Sequence, residues 1–204
     1  MKPSLHVIST GRQSIDVWLG VTVEIHPYVD FIHIREKQWS LEKAESVLLQ
    51  LKKAGVPPRK IIFNNGPHLA AKFGLRGVHF PENVPIQQND RNLLTGCSVH
   101  SQVSAIKKEK NGADYLFFGH IYKTNSKLGA VPRGLKSLKQ AAQAVRCPVI
   151  AIGGITPARA KECINNGASG IAVMSGIYES GEPIREAKAY RRALTEEALH
   201  EESI

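Results

Sequence analysis

The stretch from Cys147 to Tyr178, CPVIAIGGITPARAKECINNGASGIAVMSGIY, decides the fold. Its pattern predicts a buried strand at Val149–Ile152, a helix opened by Thr156 and Pro157, and a second buried strand at Ile171–Met174. Threonine is a favourable N-cap, and proline suits the first helical position because no hydrogen bond is lost there. Both strands are continuously apolar, as in parallel sheets that are covered on both faces. The stretch therefore predicts a strand–helix–strand unit of a parallel sheet.

Small residues follow both strands, Gly153 and Gly154 after the first and Ser175 and Gly176 after the second. Bare backbone N–H groups at the start of a helix attract anions. In an eight-stranded βα barrel, the loops after the last two strands commonly hold phosphate. The alternative is that the glycines serve only as tight-turn residues. We expect these four residues to bind a phosphate group.

Similar units recur along the rest of the chain, most with a helical pattern after the strand. Six further apolar runs are predicted strands: Leu5–Ser9, Phe31–Arg35, Lys60–Asn64, Gly77–Phe80, Gly96–His100 and Tyr115–His120. Ser40 and Ser101 are predicted N-caps of two of the helices. Eight alternating units close naturally into a (β/α)8 TIM barrel with eight parallel strands. An open doubly wound sheet is the alternative, but the first helix lacks the dinucleotide motif G-x-G-x-x-G. The segment Asn83–Arg91 has the weakest helical pattern and is expected to be mostly loop.

Composition narrows the class of protein. A chain of 204 residues is expected to form one domain over residues 1–204, with a charged tail that frays from about residue 196. The net charge of +9 suits an anionic ligand, but the basic residues are scattered and do not predict nucleic-acid binding. The 3 cysteines are unclustered, which argues against disulfides or zinc and for a reducing compartment. No apolar run reaches membrane-spanning length, so we expect a cytoplasmic protein without a membrane partner.

Polar residues at the carboxyl ends of the strands are the candidates for chemistry, because βα barrels place their active sites there. They are His33, Arg35, Lys37, Asn64, Asn65, His79, Ser98, His100, Gly119 and His120. Arg35 and Lys37 point the same way in an extended segment and suit an anion, unless Arg35 pairs with Glu36 or Asp30. Carboxylates are almost absent from these strand ends, so no metal site is predicted.

His120 opens the long loop over residues 121–133 and is expected on the rim, facing the phosphate-binding turns. An imidazole there suits proton transfer near neutral pH. The alternative is that it only hydrogen-bonds the backbone of the loop.

Seven segments together carry a family resemblance over about Val29 to Tyr178: FIHIREK, FNNGPHLA, LRGVHF, GCSVHS, DYLFFGHIYKTNSK, CPVIAIGGI and IAVMSGIY. In order and position they resemble the thiamin phosphate synthase superfamily, which implies a TIM barrel. The Gln-x-Arg-x-Lys pattern of the synthases corresponds to His33, Arg35 and Lys37, and their GPI-F/Y-PTxTK loop corresponds to residues 119–127. Their phosphate-binding glycines match Gly153 and Gly154, and their serine after the last strand matches Ser175.

Departures from the synthase pattern point to one branch of the superfamily. The magnesium-binding acids of the synthases correspond to Asn65 and Arg76, and a loop proline corresponds to His120. This combination resembles the TenI-like thiazole tautomerases. It implies an isomerase that converts a dihydrothiazole phosphate carboxylate to the aromatic carboxythiazole phosphate in thiamin biosynthesis.

The resemblance also implies the roles of individual residues. His120 is the expected proton carrier, with no metal and no cofactor, in a homodimer. The expected substrate-binding residues are Arg35, Lys37, Ser98, His100, Gly119, Thr124, Lys127, Gly153, Gly154, Ser175 and Gly176. Two alternatives remain open, a magnesium-dependent thiamin phosphate synthase and a non-catalytic regulatory protein that binds thiazole phosphates.

Overall fold

The computed structural model describes residues 2–86 and 92–195, and its centre is a closed barrel of eight parallel strands in chain order. The strands are β1 Ser4–Ile8, β2 Phe31–Ile34, β3 Ile61–Asn64, β4 Gly77–Phe80, β5 Leu94–Val99, β6 Tyr115–Gly119, β7 Val149–Ile152 and β8 Gly170–Val173. The ring is completed by β1 and β8, whose register pairs Ser4 with Gly170 and Val7 with Val173. The predicted TIM barrel is confirmed, and the predicted strands differ from the observed ones only at their ends.

Helices follow most of the strands and cover the outside of the barrel. They are α1 Ile15–Ile25, α2 Leu41–Lys53, α3 Pro67–Lys72, α4 Gln102–Lys110, α5 Gly134–Ala144, α6 Pro157–Asn165, α7 Ser175–Tyr178 and α8 Pro183–Thr195. The predicted caps are present, since Ser40 accepts from the Lys43 N–H and Ser101 accepts from the Ser104 N–H. Thr156 occupies the N-cap position of α6 with extended backbone, but its side chain accepts no hydrogen bond there.

Side chains alternate between two layers along every strand, as the period of a strand requires. The outward residues, such as Val7, Ile32 and Leu116, pack against the helices in the larger apolar cluster. The inward residues form a smaller cluster inside the barrel that includes Ile62, Phe117 and Ile150. The barrel is therefore a packed core whose carboxyl end is left for a site.

The segment predicted to be mostly loop, Asn83–Arg91, is only partly described. Residues 83–86 contain no helix, and residues 87–91 lie outside the described part of the chain. The predicted charged tail from residue 196 also lies outside it. Among the described helices, none combines the length and the apolar character needed to cross a membrane.

Candidate active site

Three polar side chains from neighbouring units form a line at the carboxyl end of the barrel. Glu82 follows β4, His100 follows β5, and Lys127 lies in the loop after β6. His100 Nδ1 lies 2.5 Å from Glu82 Oε2, and the His100 backbone N–H donates to Glu82 Oε1 at 3.2 Å. Lys127 Nζ lies 2.8 Å from His100 Nε2. The structure thus brings together His100, a strand-end candidate, and Lys127, which the family resemblance implied, whereas Glu82 was missed.

Two arginine side chains lie close enough to Lys127 to act on its charge. The pKa of its ammonium is lowered by partial burial and by the nearby Arg133 and Arg35, while Glu82 opposes that shift. Arg35 does not pair with either acid considered from the sequence. Asp30 binds Arg191, and Glu36 accepts from the Gly11 N–H. Among the salt bridges of the described residues, none involves Arg35, Lys127 or Arg133.

The turn after β7 is shaped by its glycines. Gly153 and Gly154 have φ of +100° and +66°, values that residues with a side chain rarely adopt. A Cβ on Gly153 would collide with His120 Cβ, and one on Gly154 would collide with the carbonyl oxygen of Lys123. The glycines therefore serve the tight turn that was the alternative from the sequence. Their lack of a side chain also lets the loop after β6 pack closely against the turn. Phosphate binding at this turn stays a prediction.

Two helix starts face the same end of the barrel. Helices α6 and α7 both begin without a side-chain cap. Pro157 has no N–H, and the N–H groups of Arg159 and Ile177 donate to the carbonyl oxygens of Thr156 and Met174. The N–H groups of Ala158, Ser175 and Gly176 are therefore the first-turn candidates for an anion. Ser175 and Gly176 form the first turn of α7 and are exposed. The four residues predicted to bind phosphate thus lie on the expected face, beside uncapped helix starts.

His120 is buried, with 5% of its surface exposed. Its Nε2 lies 3.3 Å from the carbonyl oxygen of Ala130, within the loop that it opens. Its Nδ1 is buried without a hydrogen-bond partner in the described chain. The backbone contact considered as an alternative is therefore made, and proton transfer by this residue stays a prediction.

The other predicted ligand residues are distributed unevenly. Lys37 is exposed beyond β2. Thr124 caps a short 3-10 turn over Asn125–Lys127, where its side chain accepts from the Ser126 N–H. Gly119 ends β6 so close to β7 that a Cβ would collide with the Ile152 carbonyl oxygen. Thr124 and Gly119 therefore have structural tasks in placing the loop that carries Lys127.

Histidines fill part of the barrel interior. His6 Nδ1 lies 3.0 Å from His33 Nε2, and His79 contacts Tyr115 Oη at 3.1 Å and Ser98 Oγ at 2.9 Å. Burial lowers the pKa of His6 and of His79 to about 3, and it lowers the pKa of His33 well below its usual range. Ser98 therefore supports His79 from the mouth of the barrel. His6 was missed, although its strand position shares the inward parity that His33 has on the next strand.

The position of Arg76 corrects the sequence reasoning about magnesium. Arg76 precedes β4, and its backbone N–H donates to the carbonyl oxygens of Pro58 and Ile61, at the amino end of the barrel. It therefore cannot stand in a metal site at the carboxyl end, and its charge says nothing about metal binding there. Asn65 does lie on the correct face, where it is exposed with φ of +57°.

Among the described residues, the donors at the carboxyl end nevertheless do not fit magnesium, which prefers one or two carboxylates in an octahedral oxygen shell. Glu82 already accepts from His100 with both oxygens, and Asn65 offers only a neutral amide. Within residues 2–86 and 92–195, no group of three or more His, Cys, Asp or Glu side chains could hold a metal ion. Arg35, Lys127 and Arg133 add positive charge to the same region.

The fold and the site together define the class of this protein as a TIM barrel with clustered cations at its carboxyl end. The chain belongs to the thiamine monophosphate synthase family, whose model matches residues 6–177. It is 39% identical over 122 residues to the thiamine-phosphate synthase of Pyrococcus furiosus, a match that covers 58% of each chain. It is 31% identical over 202 residues to that of Xanthomonas campestris, covering 94% of this chain and 96% of that one.

A solved structure agrees in fold. The thiamine phosphate pyrophosphorylase of Pyrococcus furiosus superposes with a TM-score of 0.74 at 24% identity, covering 94% of this chain and 95% of that chain. This likeness confirms the fold, while the family model and the relatives above confirm the predicted superfamily and its place in thiamin biosynthesis.

The prediction of an isomerase is wrong. The relatives carry the name thiamine-phosphate synthase, which denotes a transferase. The structure shows why the sequence argument misled. It rested on Asn65, Arg76 and His120. Asn65 lies on the expected face, but Arg76 lies at the opposite end of the barrel, and His120 is buried with its Nε2 3.3 Å from the Ala130 carbonyl oxygen.

Proposed function

We propose that this protein is a transferase of the thiamine-phosphate synthase type, which joins a phosphorylated thiazole to a pyrimidine and expels pyrophosphate. The proposal is carried by the cation cluster of Arg35, Lys127 and Arg133, which has no ion-pair partner among the described residues. Cations at the mouth of a barrel that form no salt bridge among the described residues suit a highly charged leaving group. Family membership and the names of the relatives support the same reaction.

The chemistry of the transfer explains the need for these cations. The bond between the pyrimidine methylene carbon and a pyrophosphate oxygen breaks, and the oxygen keeps the electron pair. An atom of the thiazole ring donates the pair for the new bond. Negative charge therefore grows on the pyrophosphate, and preorganised positive groups aimed at that charge lower the barrier. The step moves no obligatory proton, so the proposal assigns no acid–base role to His120.

The second anion of the reaction is the phosphate on the thiazole. The turns at Gly153–Gly154 and at Ser175–Gly176 are the candidates to hold it, because uncapped N–H groups suit a phosphate. Two anion-binding features at one barrel end would seat the two substrates facing each other. Holding both reactants in line removes much of the entropic cost of a bimolecular step.

The test is incubation with the pyrimidine pyrophosphate and the phosphorylated thiazole, with thiamin phosphate measured by mass spectrometry. One arm contains Mg²⁺ and a second contains EDTA. We expect thiamin phosphate in at least one arm, at a rate that depends on protein concentration. Absence of product in both arms, with folded protein, would overturn the transferase proposal.

A second candidate is a non-catalytic protein that binds thiazole phosphates. It is favoured by the amide at Asn65, together with the engagement of both Glu82 oxygens by His100. Binding of the phosphorylated thiazole without product in either arm would support it. Assembly as a homodimer also remains a proposal, which light scattering on the purified protein would test.

A further inference from the structure

The line of Glu82, His100 and Lys127 has a definite hydrogen-bond direction. A carboxylate only accepts, so the His100 Nδ1 that faces Glu82 carries a proton. An ammonium only donates, so the His100 Nε2 that faces Lys127 is a bare acceptor. Glu82 thereby selects one neutral tautomer of His100, and that tautomer presents a lone pair to Lys127.

The carboxylate that fixes this arrangement is itself held in its charged form. Burial alone would raise the pKa of Glu82, but hydrogen bonds from Ser104 and His100 outweigh burial and lower it. The backbone N–H of His100 adds a second contact to the same carboxylate. Glu82 is therefore a stable anchor for the line at neutral pH.

Lys127 remains able to bind a ligand while it is held. An ammonium has three donors, and the contact to His100 uses one of them. Arg35 and Arg133 both act on Lys127 electrostatically and lower its pKa, as like charges do at close range. Three cations gathered in this way repel one another until an anion joins them.

We propose that Glu82 and His100 are positioning residues that hold the Lys127 ammonium at the barrel mouth, where it binds a pyrophosphate-type anion with Arg35 and Arg133 in place of a divalent metal. The inference rests on the proposed function for the identity of the anion. It follows from the misfit of the described donors to magnesium, because cationic side chains of this chain supply positive charge in the same region. The contacts from Glu82 to His100 and from His100 to Lys127 hold the otherwise flexible lysine in one position.

The experiment measures binding of inorganic pyrophosphate by calorimetry, at fixed ionic strength, in EDTA. The wild-type protein should bind it without added metal. Lys127→Met should weaken binding about 10-fold or more, the range for loss of one charge-assisted contact. Lys139→Met removes an exposed lysine of α5 and serves as the charge-matched control, with affinity expected within about 2-fold of wild type.

Variants of His100 separate positioning from charge. His100→Ala removes no formal charge, yet it should weaken pyrophosphate binding several-fold because Lys127 loses its anchor. His100→Gln restores an acceptor and should recover part of the affinity. In the double variant with Lys127→Met, the loss should be no greater than for Lys127→Met alone, since both changes remove one interaction. Should His100→Ala unfold the protein, Glu82→Gln provides the same test from the other end of the line.

The outcomes are distinct from those of the activity test. Pyrophosphate binding that requires Mg²⁺ would overturn the inference, as would wild-type affinity in His100→Ala or losses that simply add in the double variant. Binding in EDTA with the expected coupling but without thiamin phosphate formation would overturn the proposed function and leave the positioning role standing.

Discussion

His6 Nδ1 lies 3.0 Å from His33 Nε2 in the middle of the barrel, and neither imidazole reaches solvent. On its other side, His6 Nε2 lies 3.0 Å from Ser4 Oγ, near the amino end of the barrel. On the other side of His33, the ring of His79 lies edge-on at a centroid distance of 5.6 Å. Imidazoles in this setting are stable only while they are neutral, because a buried charge without a partner is costly.

Acidification should therefore destabilise the protein. Burial lowers the folded-state pKa of His6 and His79 to about 3, while the unfolded chain keeps values near 6.5. The stabilisation that these neutral histidines contribute is fully present above about pH 6.5. It is lost as the pH drops toward 3, because the unfolded state then binds more protons than the folded state. Each histidine contributes a slope of up to about 1.4 kcal/mol per pH unit. Urea unfolding at a series of pH values measures it.

Two variants serve as checks on this slope. His79→Gln should reduce it by the contribution of one group, while His68→Gln, at an exposed position of α3, should leave it unchanged. A free energy of unfolding that is the same at pH 7.5 and pH 5 would contradict the neutral-core interpretation.

Gly154→Ala should disturb the loop after β6. The new Cβ would collide with the Lys123 carbonyl oxygen and lie 2.9 Å from Tyr122 Cβ, at a φ of +66° that alanine disfavours. We expect a loss of about 1–3 kcal/mol in the free energy of unfolding, together with faster hydrogen exchange in residues 121–133. Gly181→Ala is the matched control, since nothing lies within 4 Å of the position that its new methyl group would occupy, and a change of under about 0.5 kcal/mol is expected. Equal stabilities of the two variants would refute the packing role.

Arg191→Met should loosen the amino end of the barrel. Arg191 Nη2 lies 2.6 Å from Asp30 Oδ2, and its Nε donates to the Tyr28 carbonyl oxygen at 3.1 Å. Asp30 Oδ2 also accepts from the Leu5 N–H at 2.7 Å, so the pair ties α8 to β1 and to the segment before β2. We expect a loss of about 1–3 kcal/mol, measured by urea unfolding.

Arg185→Met gives the comparison for that variant. Its salt bridge to Glu182 is highly exposed, with side-chain exposures of 70% and 64%. Exposed pairs contribute little, so its loss should change the stability by under about 1 kcal/mol. A larger loss of stability from Arg185→Met than from Arg191→Met would contradict the stabilising role of the Arg191–Asp30 pair.

The fold was predictable because its signals are local. The apolar runs at Val149–Ile152 and Gly77–Phe80 are the observed strands, and Ser40 and Ser101 cap helices through contacts three residues away. The site was less predictable because its contacts join residues that lie far apart in sequence. Glu82 meets His100 across 18 positions, and Lys127 meets His100 across 27.

One error in the sequence-based prediction of the site concerns the direction of a strand, and the other concerns the face of the strand to which side chains point. Arg76 was assigned to the ligand end although it precedes its strand, and strand polarity alone would have placed it at the other end. By sequence position, His33 and His79 are strand-end candidates, whereas inward parity places them in the interior beside His6. Counting which side chains point inward on neighbouring strands would have predicted the interior position of these histidines.

The pairing of β1 with β8 has a consequence for synthesis on the ribosome. One edge of β1 bonds to residues 170–173, so that edge has no strand to bond until nearly the whole barrel has been translated. An open strand edge invites pairing with other nascent chains. The Pro3 carbonyl oxygen also accepts from Arg191, and this contact forms later still. Helix α8, which emerges after all eight strands of the barrel, therefore fastens the segment that leads into β1.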